Sequence, residues 1–160
     1  DMPMNVKEYM TYDATGLAAL VRKKQVTPEE LVHAAFARLE EVNPELNAVI
    51  QTRHDQVLKD MKQLDMDQPF AGVPFVLKNI SQGLKNEPLT AGAMLLKDVK
   101  AKTDSHFVHR LKQAGLLMIG HTNTPEFGLR NVTEPALYGP TRNPWNAAHS
   151  PGGSSGGTAA

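Results

Sequence analysis

The sequence predicts an α/β fold: a mixed, mainly parallel β-sheet flanked by helices, with further helices at its N-terminal end. Three observations carry this reading. Val73 to Leu77 and Leu116 to Ile119 are short apolar runs of strand length, the form taken by strands buried on both faces. Between them, a segment opening at Asp104 carries Phe107, Val108 and Leu111 and stops at Gly115, so strand, helix and strand alternate as a parallel crossover requires. Upstream, two segments with apolar residues at helical spacing form a helical entry.

Taken in order, the first helix spans roughly Asp13 to Lys24, with Leu17, Leu20 and Val21 on one face. Thr27-Pro28-Glu29-Glu30 opens the second: Thr27 is the N-cap, Pro28 occupies the first helical position, and Glu30 completes a capping box. Leu31, Ala34, Ala35, Ala37 and Leu39 follow, and Asn43-Pro44 is read as the end, because proline disfavours helical backbone in the residue before it. Leu46 to Ile50 is read as a strand and Arg53 to about Leu64 as a polar helix, broken by Asp67-Gln68-Pro69. Residues 79–102 show no clean period, and a long irregular stretch of this kind covers or shapes a site. Asp104 is read as the cap of the next helix. Beyond His121 the chain is rich in Pro, Gly and Asn. With no internal repeat and no linker, residues 1–160 read as one folding unit or part of one.

Composition narrows the function classes. The 160 residues are 41% apolar, enough for one core, and 17 basic residues balance 17 acidic ones, so overall charge steers the chain towards neither nucleic acid nor an anionic membrane. There is no cysteine, which removes disulfides, thiolate metal sites and a cysteine nucleophile. No apolar stretch approaches the roughly 20 residues of a membrane span. The expected compartment is the cytoplasm, with export left open by a chain that opens on Asp1 rather than Met.

The chemistry concentrates in Ser150-Pro151-Gly152-Gly153-Ser154-Ser155-Gly156-Gly157-Thr158. Four glycines let backbone approach a ligand closely, and two adjacent serines supply hydroxyls that can attack or relay protons. Read alone, the same composition also suits a flexible linker. Gly72 to Asn79 is the discriminator, because Lys78 ends an otherwise apolar run. A lysine there either snorkels to water or is partly buried, and burial lowers its pKa until the neutral amine can serve as a base.

These two segments, with Gly120-His121-Thr122-Asn123-Thr124-Pro125-Glu126-Phe127-Gly128 and Tyr138-Gly139-Pro140-Thr141-Arg142-Asn143-Pro144-Trp145-Asn146 between them, resemble the amidase signature family of serine hydrolases. The resemblance covers nearly the whole chain in the family's order. It implies an incomplete amidase signature fold, the N-terminal part of a single domain over residues 1–160. It also implies that Lys78 is the base and Ser154 the bridging serine of a Ser-Ser-Lys triad, with a cis peptide bond at Gly153–Ser154. In the family the nucleophile belongs to a further motif of Asp-x-Gly-Gly-Ser type that these residues do not contain, so the fragment alone is expected to be inactive. Where the family commonly has Asp after the lysine, this chain has Asn79, which is expected to alter the tuning of the amine.

Gly152, Gly153, Ser155 and Asn123 are expected to bind substrate or shape the site, with Asn123, Glu126 and Arg142 as loop residues that fix it by hydrogen bonds or serve as ordinary turn and ion-pair residues. His106 and His109, at i and i+3, lack a third metal ligand in the sequence, so no metal and no cofactor is expected. Trp145 is read as a packing anchor. The expected substrate is a small linear or cyclic non-peptide amide, hydrolysed through an acyl-enzyme; no nucleic-acid or membrane partner is expected, and a homodimer is left open. The Pro125-Glu126-Phe127 stretch is closer to stand-alone amidases, including those like 6-aminohexanoate-cyclic-dimer hydrolase, than to the A subunit of glutamyl-tRNA amidotransferase, which typically carries Asp-Glu-Phe there. The alternatives are that amidotransferase component and a catalytically dead binding module with the same fold.

Overall fold

Nine α-helices and β-strands follow one another in the computed structural model, which describes residues 3–160: α1 (Val6–Tyr9), α2 (Ala14–Arg22), α3 (Pro28–Leu46), β1 (Val49–Thr52), α4 (His54–Met61), β2 (Pro74–Lys78), α5 (His106–Ala114), β3 (Leu117–Thr122) and α6 (Gly156–Ala159). The three strands form one sheet in the order β1-β3-β2. β1 runs antiparallel to β3, pairing Val49 with Thr122 and Thr52 with Gly120. On the other side of β3, Leu117 N–H donates to Val73 O and Asn79 N–H to Thr122 O, so the two strands advance together and are parallel. The sheet is therefore mixed.

The chain divides into two compact units, neither a continuous stretch. Because β2 and β3 each pass from one unit to the other, no linker is readable in the sequence. The first unit holds the chain up to Glu41 with residues 53–75 and 110–119. Its core gathers Met4, Leu17, Ala18, Val21, Leu31 and Val73, with Phe70 and Leu116 packed on it. Leu17 and Val21 are one turn apart, so a single face of α2 is buried while Asp13 caps it by accepting the Gly16 N–H at 2.7 Å.

The capping box of α3 forms as read. Glu30 N–H donates to Thr27 Oγ1 at 3.2 Å and Thr27 N–H to Glu30 Oε2 at 2.7 Å. These bonds hold the Glu30 carboxyl below its ordinary pKa, the Thr27 backbone bond being the largest cause. Thr27→Ala is expected to lower stability by about 1 kcal/mol, read as a lower urea midpoint with an unchanged slope. The Glu30 contribution has a sign: a depressed carboxyl pKa stabilises above the unfolded value and is lost as pH falls through the folded one.

Several boundaries differ from expectation. The helix does not end at Asn43-Pro44 but continues to Leu46, closed by Asn47 N–H on Asn43 O at 2.8 Å. Pro44 gives up one rung, and the Asn43 side chain takes charge of the exit: its Oδ1 accepts from Ala48 and Val49 N–H and its Nδ2 donates to Val49 O. The strand accordingly starts at Val49. The cap of α5 is Ser105, whose Oγ accepts the Val108 N–H at 3.2 Å, whereas Asp104 Oδ1 accepts from Lys85 N–H. Finally, β3 runs on past Ile119 through Gly120, His121 and Thr122, all buried. Gly120 is required there: a Cβ would stand 2.7 Å from Gln51 O and 2.8 Å from Val49 Cγ1.

The second unit contains residues 42–52, 76–109 and 120–160. Its burial is unusually polar: Asn79, Thr90, His121, Thr122, Asn123, Thr124, Thr133 and Thr141 are all buried. Buried polar groups persist only when hydrogen-bonded, and their partners define the site. Among the described residues, no helix is long and apolar enough to cross a membrane.

Candidate active site

Lys78 is the last residue of β2. The glycine-rich segment leads into α6, a single turn of helix. Between the two, Lys78 Nζ lies 2.6 Å from Ser154 Oγ. The linker alternative for this segment fails on this contact and on the hydrogen bonds that fix the loop. Burial lowers the Lys78 pKa, with no other cause contributing, so the neutral amine is more available than in an exposed lysine. At that distance it can accept the Ser154 proton, and Ser154 can pass on a proton from a third group.

Two sets of bonds hold the pair in place. From the lysine side, Lys78 N–H donates to Gln82 Oε1 at 2.8 Å, and Thr122 Oγ1 donates to Leu77 O at 3.3 Å. The same Thr122 hydroxyl meets Thr158 Oγ1 at 2.7 Å, tying the end of β2 through β3 to α6. From the serine side, Thr133 Oγ1 donates to Gly152 O at 2.8 Å and Gly152 N–H to Ser150 Oγ at 3.1 Å. Gly152 has φ +87°, the region that favours glycine, and the Gly153–Ser154 bond is cis. A Cβ on Gly153 would come within 3.0 Å of Arg130 O.

Each residue expected at the site has a definite place. Lys78 and Ser154 are together, and Gly152 and Gly153 form the loop that carries Ser154. Ser155 is exposed, and its side chain caps no hydrogen bond of α6. The Asn123 amide is turned to the loops, with every polar atom engaged: Nδ2 donates to Gly139 O and Thr141 Oγ1, both at 3.0 Å, and Oδ1 accepts from Thr124 N–H. Glu126 Oε1 accepts from Ala136 N–H, and Arg142 Nη1 donates to Ala147 O. Asn79 does not face solvent; it is 1% exposed and clasps Thr90. Trp145 is not a packing anchor among the described residues, since it is 95% exposed at the tip of the Asn143–Asn146 turn.

Sequence reasoning missed Thr90, Thr122, Thr133 and Thr158. Thr133 lies 19 residues from the loop it holds, and no fixed spacing announces such a bond. The only signal was several threonines in a loop-rich stretch beside glycines. His121 is buried with Nε2 3.0 Å from Glu87 Oε1, and among the described residues no group of three or more acidic, histidine or cysteine side chains is placed to hold a metal.

A lysine amine set on a serine hydroxyl within an α/β framework is an arrangement able to move protons, with lysine where histidine is more usual. The sequence model of the Amidase family matches residues 30–160, and the chain belongs to that family. It is 48% identical to a lipoamidase of Enterococcus faecalis over 96% of this chain and 21% of that one. A solved structure of 6-aminohexanoate cyclic dimer hydrolase superposes with TM-score 0.88 at 40% identity, over 92% of this chain and 30% of its own. The A subunit of the glutamyl-tRNA(Gln) amidotransferase of Methylacidiphilum infernorum is 38% identical over 90% of this chain and 29% of that one. The chain thus spans between a fifth and a third of these relatives.

Proposed function

We propose that this chain contributes the lysine and bridging serine of an amidase that hydrolyses a small linear or cyclic amide. The observation that carries the reading is the 2.6 Å approach of a partly buried Lys78 Nζ to Ser154 Oγ. An amide has a poor leaving group, so its hydrolysis needs an activated nucleophile and a proton for the departing amine. The neutral Lys78 draws a proton from Ser154, Ser154 draws one from a nucleophilic serine outside these residues, and the protons return along the same path to the amine. The acyl-enzyme is then cleared by water. Similarity to the lipoamidase and the cyclic dimer hydrolase supports a non-peptide carbon–nitrogen bond as the target.

The test is covalent trapping in the intact protein. An activated acyl or fluorophosphonate probe should label a serine other than Ser154, as read by peptide mass spectrometry, and Ser154→Ala should slow labelling by about 10²-fold or more without moving the label. A label on Ser154 itself would make it the nucleophile and sink the relay. Turnover of linear and cyclic amides should rise with pH along a limb set by deprotonation of Lys78, because only the neutral amine acts as base.

Similarity to the amidotransferase favours a second reading, in which the amide is glutamine and ammonia passes to a partner-bound acyl group. Amidase turnover by the intact protein alone would exclude it. Absence of any trapped serine would instead favour a binding module that keeps only the fold.

A further inference from the structure

We propose that Asn79 is a positioning residue for Lys78, anchoring the end of β2 through Thr90 while keeping the residue that follows Lys78 uncharged. The inference rests on the reading of Lys78 as a general base. Asn79 is the first residue after the strand, and its backbone and side chain are both held. Its N–H donates to Thr122 O at 3.1 Å and its carbonyl accepts from Ala91 N–H at 3.0 Å. Its Oδ1 accepts the Thr90 N–H at 3.2 Å while its Nδ2 donates to Thr90 Oγ1 at 2.5 Å. Thr90 Oγ1 continues to the Tyr138 hydroxyl at 2.8 Å. Because a backbone N–H can only donate, the orientation of the amide is determined: oxygen towards the Thr90 backbone, nitrogen towards its hydroxyl. The clasp therefore pins residues 79–91 to the strand end that carries Lys78.

Its neutrality matters as much as its geometry. Burial alone lowers the Lys78 pKa. Among the described residues, the groups that these hydrogen bonds gather at the strand end are the hydroxyls of Ser154, Thr122 and Thr90, the amides of Gln82 and Asn79, and the Tyr138 phenol. The nearby charged side chains of the flanking loops have other partners: Glu87 meets His121, and Glu126 takes the Ala136 N–H and feels Arg130. An aspartate at position 79 would fit the same space, its carboxylate accepting from both the Thr90 N–H and the Thr90 hydroxyl. It would also place a negative charge on the residue that follows Lys78 in the chain, and an opposite charge within reach favours the protonated amine.

The test compares Asn79→Asp and Asn79→Ala in the intact protein. Competitive labelling with acetic anhydride across a pH series, read by peptide mass spectrometry, gives the Lys78 titration independently of turnover. Asn79→Asp should move that titration, and the acidic limb of kcat/KM with it, about one unit to higher pH, a roughly tenfold loss at a fixed pH on the limb. At high pH, where the amine is neutral in both proteins, Asn79→Asp should return to near the parent rate. Asn79→Ala breaks the clasp without adding charge, so it should lose kcat at every pH with KM little changed. A Lys78 titration unmoved by Asn79→Asp, or an Asn79→Ala protein of full activity, overturns the proposal. A shifted titration in a protein that hydrolyses no amide would uphold the electrostatic role of Asn79 and refute the amidase reading instead.

Discussion

Lys78→Ala in the intact protein is expected to lower kcat by about 10³- to 10⁴-fold with KM changed only a few-fold, because it removes the group that takes and returns the proton in the transition state. Lys78→Arg should be nearly as poor, since a guanidinium fills the space and keeps the charge but cannot give up its proton at working pH. Steady-state kinetics on any amide the parent turns over decides the point. Near-normal turnover by either variant would remove Lys78 from the mechanism. The same side chain costs stability, with a definite sign. Burial lowers its pKa, so at pH values below the folded pKa the amine is charged in both states and carries its desolvation penalty. Between the folded and unfolded values the unfolded chain holds more protons, and stability rises with pH. Lys78→Met should therefore be at least as stable as the parent near neutral pH, with the advantage fading as the solution becomes alkaline.

Gly157→Ala is expected to cost about 3 kcal/mol and most of the activity. In an ordinary helix this change gains close to 1 kcal/mol. Here the added Cβ would lie 2.4 Å from Asn123 N and 2.5 Å from Ala48 O, both backbone atoms held by their own hydrogen bond. Neither can yield as the tip of a side chain would, so overlap outweighs propensity. α6 must lift away, stretching the Gly157 N–H to Asn123 O bond and the Thr158 to Thr122 contact, and Ser154 lies on the segment that leads into it. Urea unfolding and turnover should fall together. A variant with an unchanged midpoint would show that α6 is not held against β3 as described.

What could be read in advance depended on how local its cause is. The capping box at Thr27 and Glu30, the start of a helix near Asp13 and the stripe of Leu17 and Val21 are set by residues within a turn of each other, and all stand in the structure. Lys78 was legible because a charge at the end of an apolar strand is chemically conspicuous. The helix through Pro44 was not, since the Asn43 side chain that makes its exit acceptable works on residues five and six positions away. Gly120 reads in sequence as an end to the strand, although it is the close passage of Gln51 that demands glycine there. The supports of the site were hidden most completely. Thr133, Thr122 and Asn123 act on partners 16 to 45 residues away, through bonds that carry no period, and only the closed fold shows which threonines are buried.

Trp145 is the one tryptophan in these 160 residues, and its indole stands almost wholly in water on a turn that is itself stiff. Trp145 N–H bonds Asn143 Oδ1 at 2.9 Å, and Asn143 and His149 close the base of the turn. Such a fluorophore emits as a hydrated indole until something covers it. Selective excitation of this side chain therefore reports on events at the outer face of the loop and is indifferent to repacking elsewhere in these residues. Any chain segment, partner protein or ligand that settles over residues 143–149 would announce itself as a blue shift and as protection from an aqueous quencher, with no label attached.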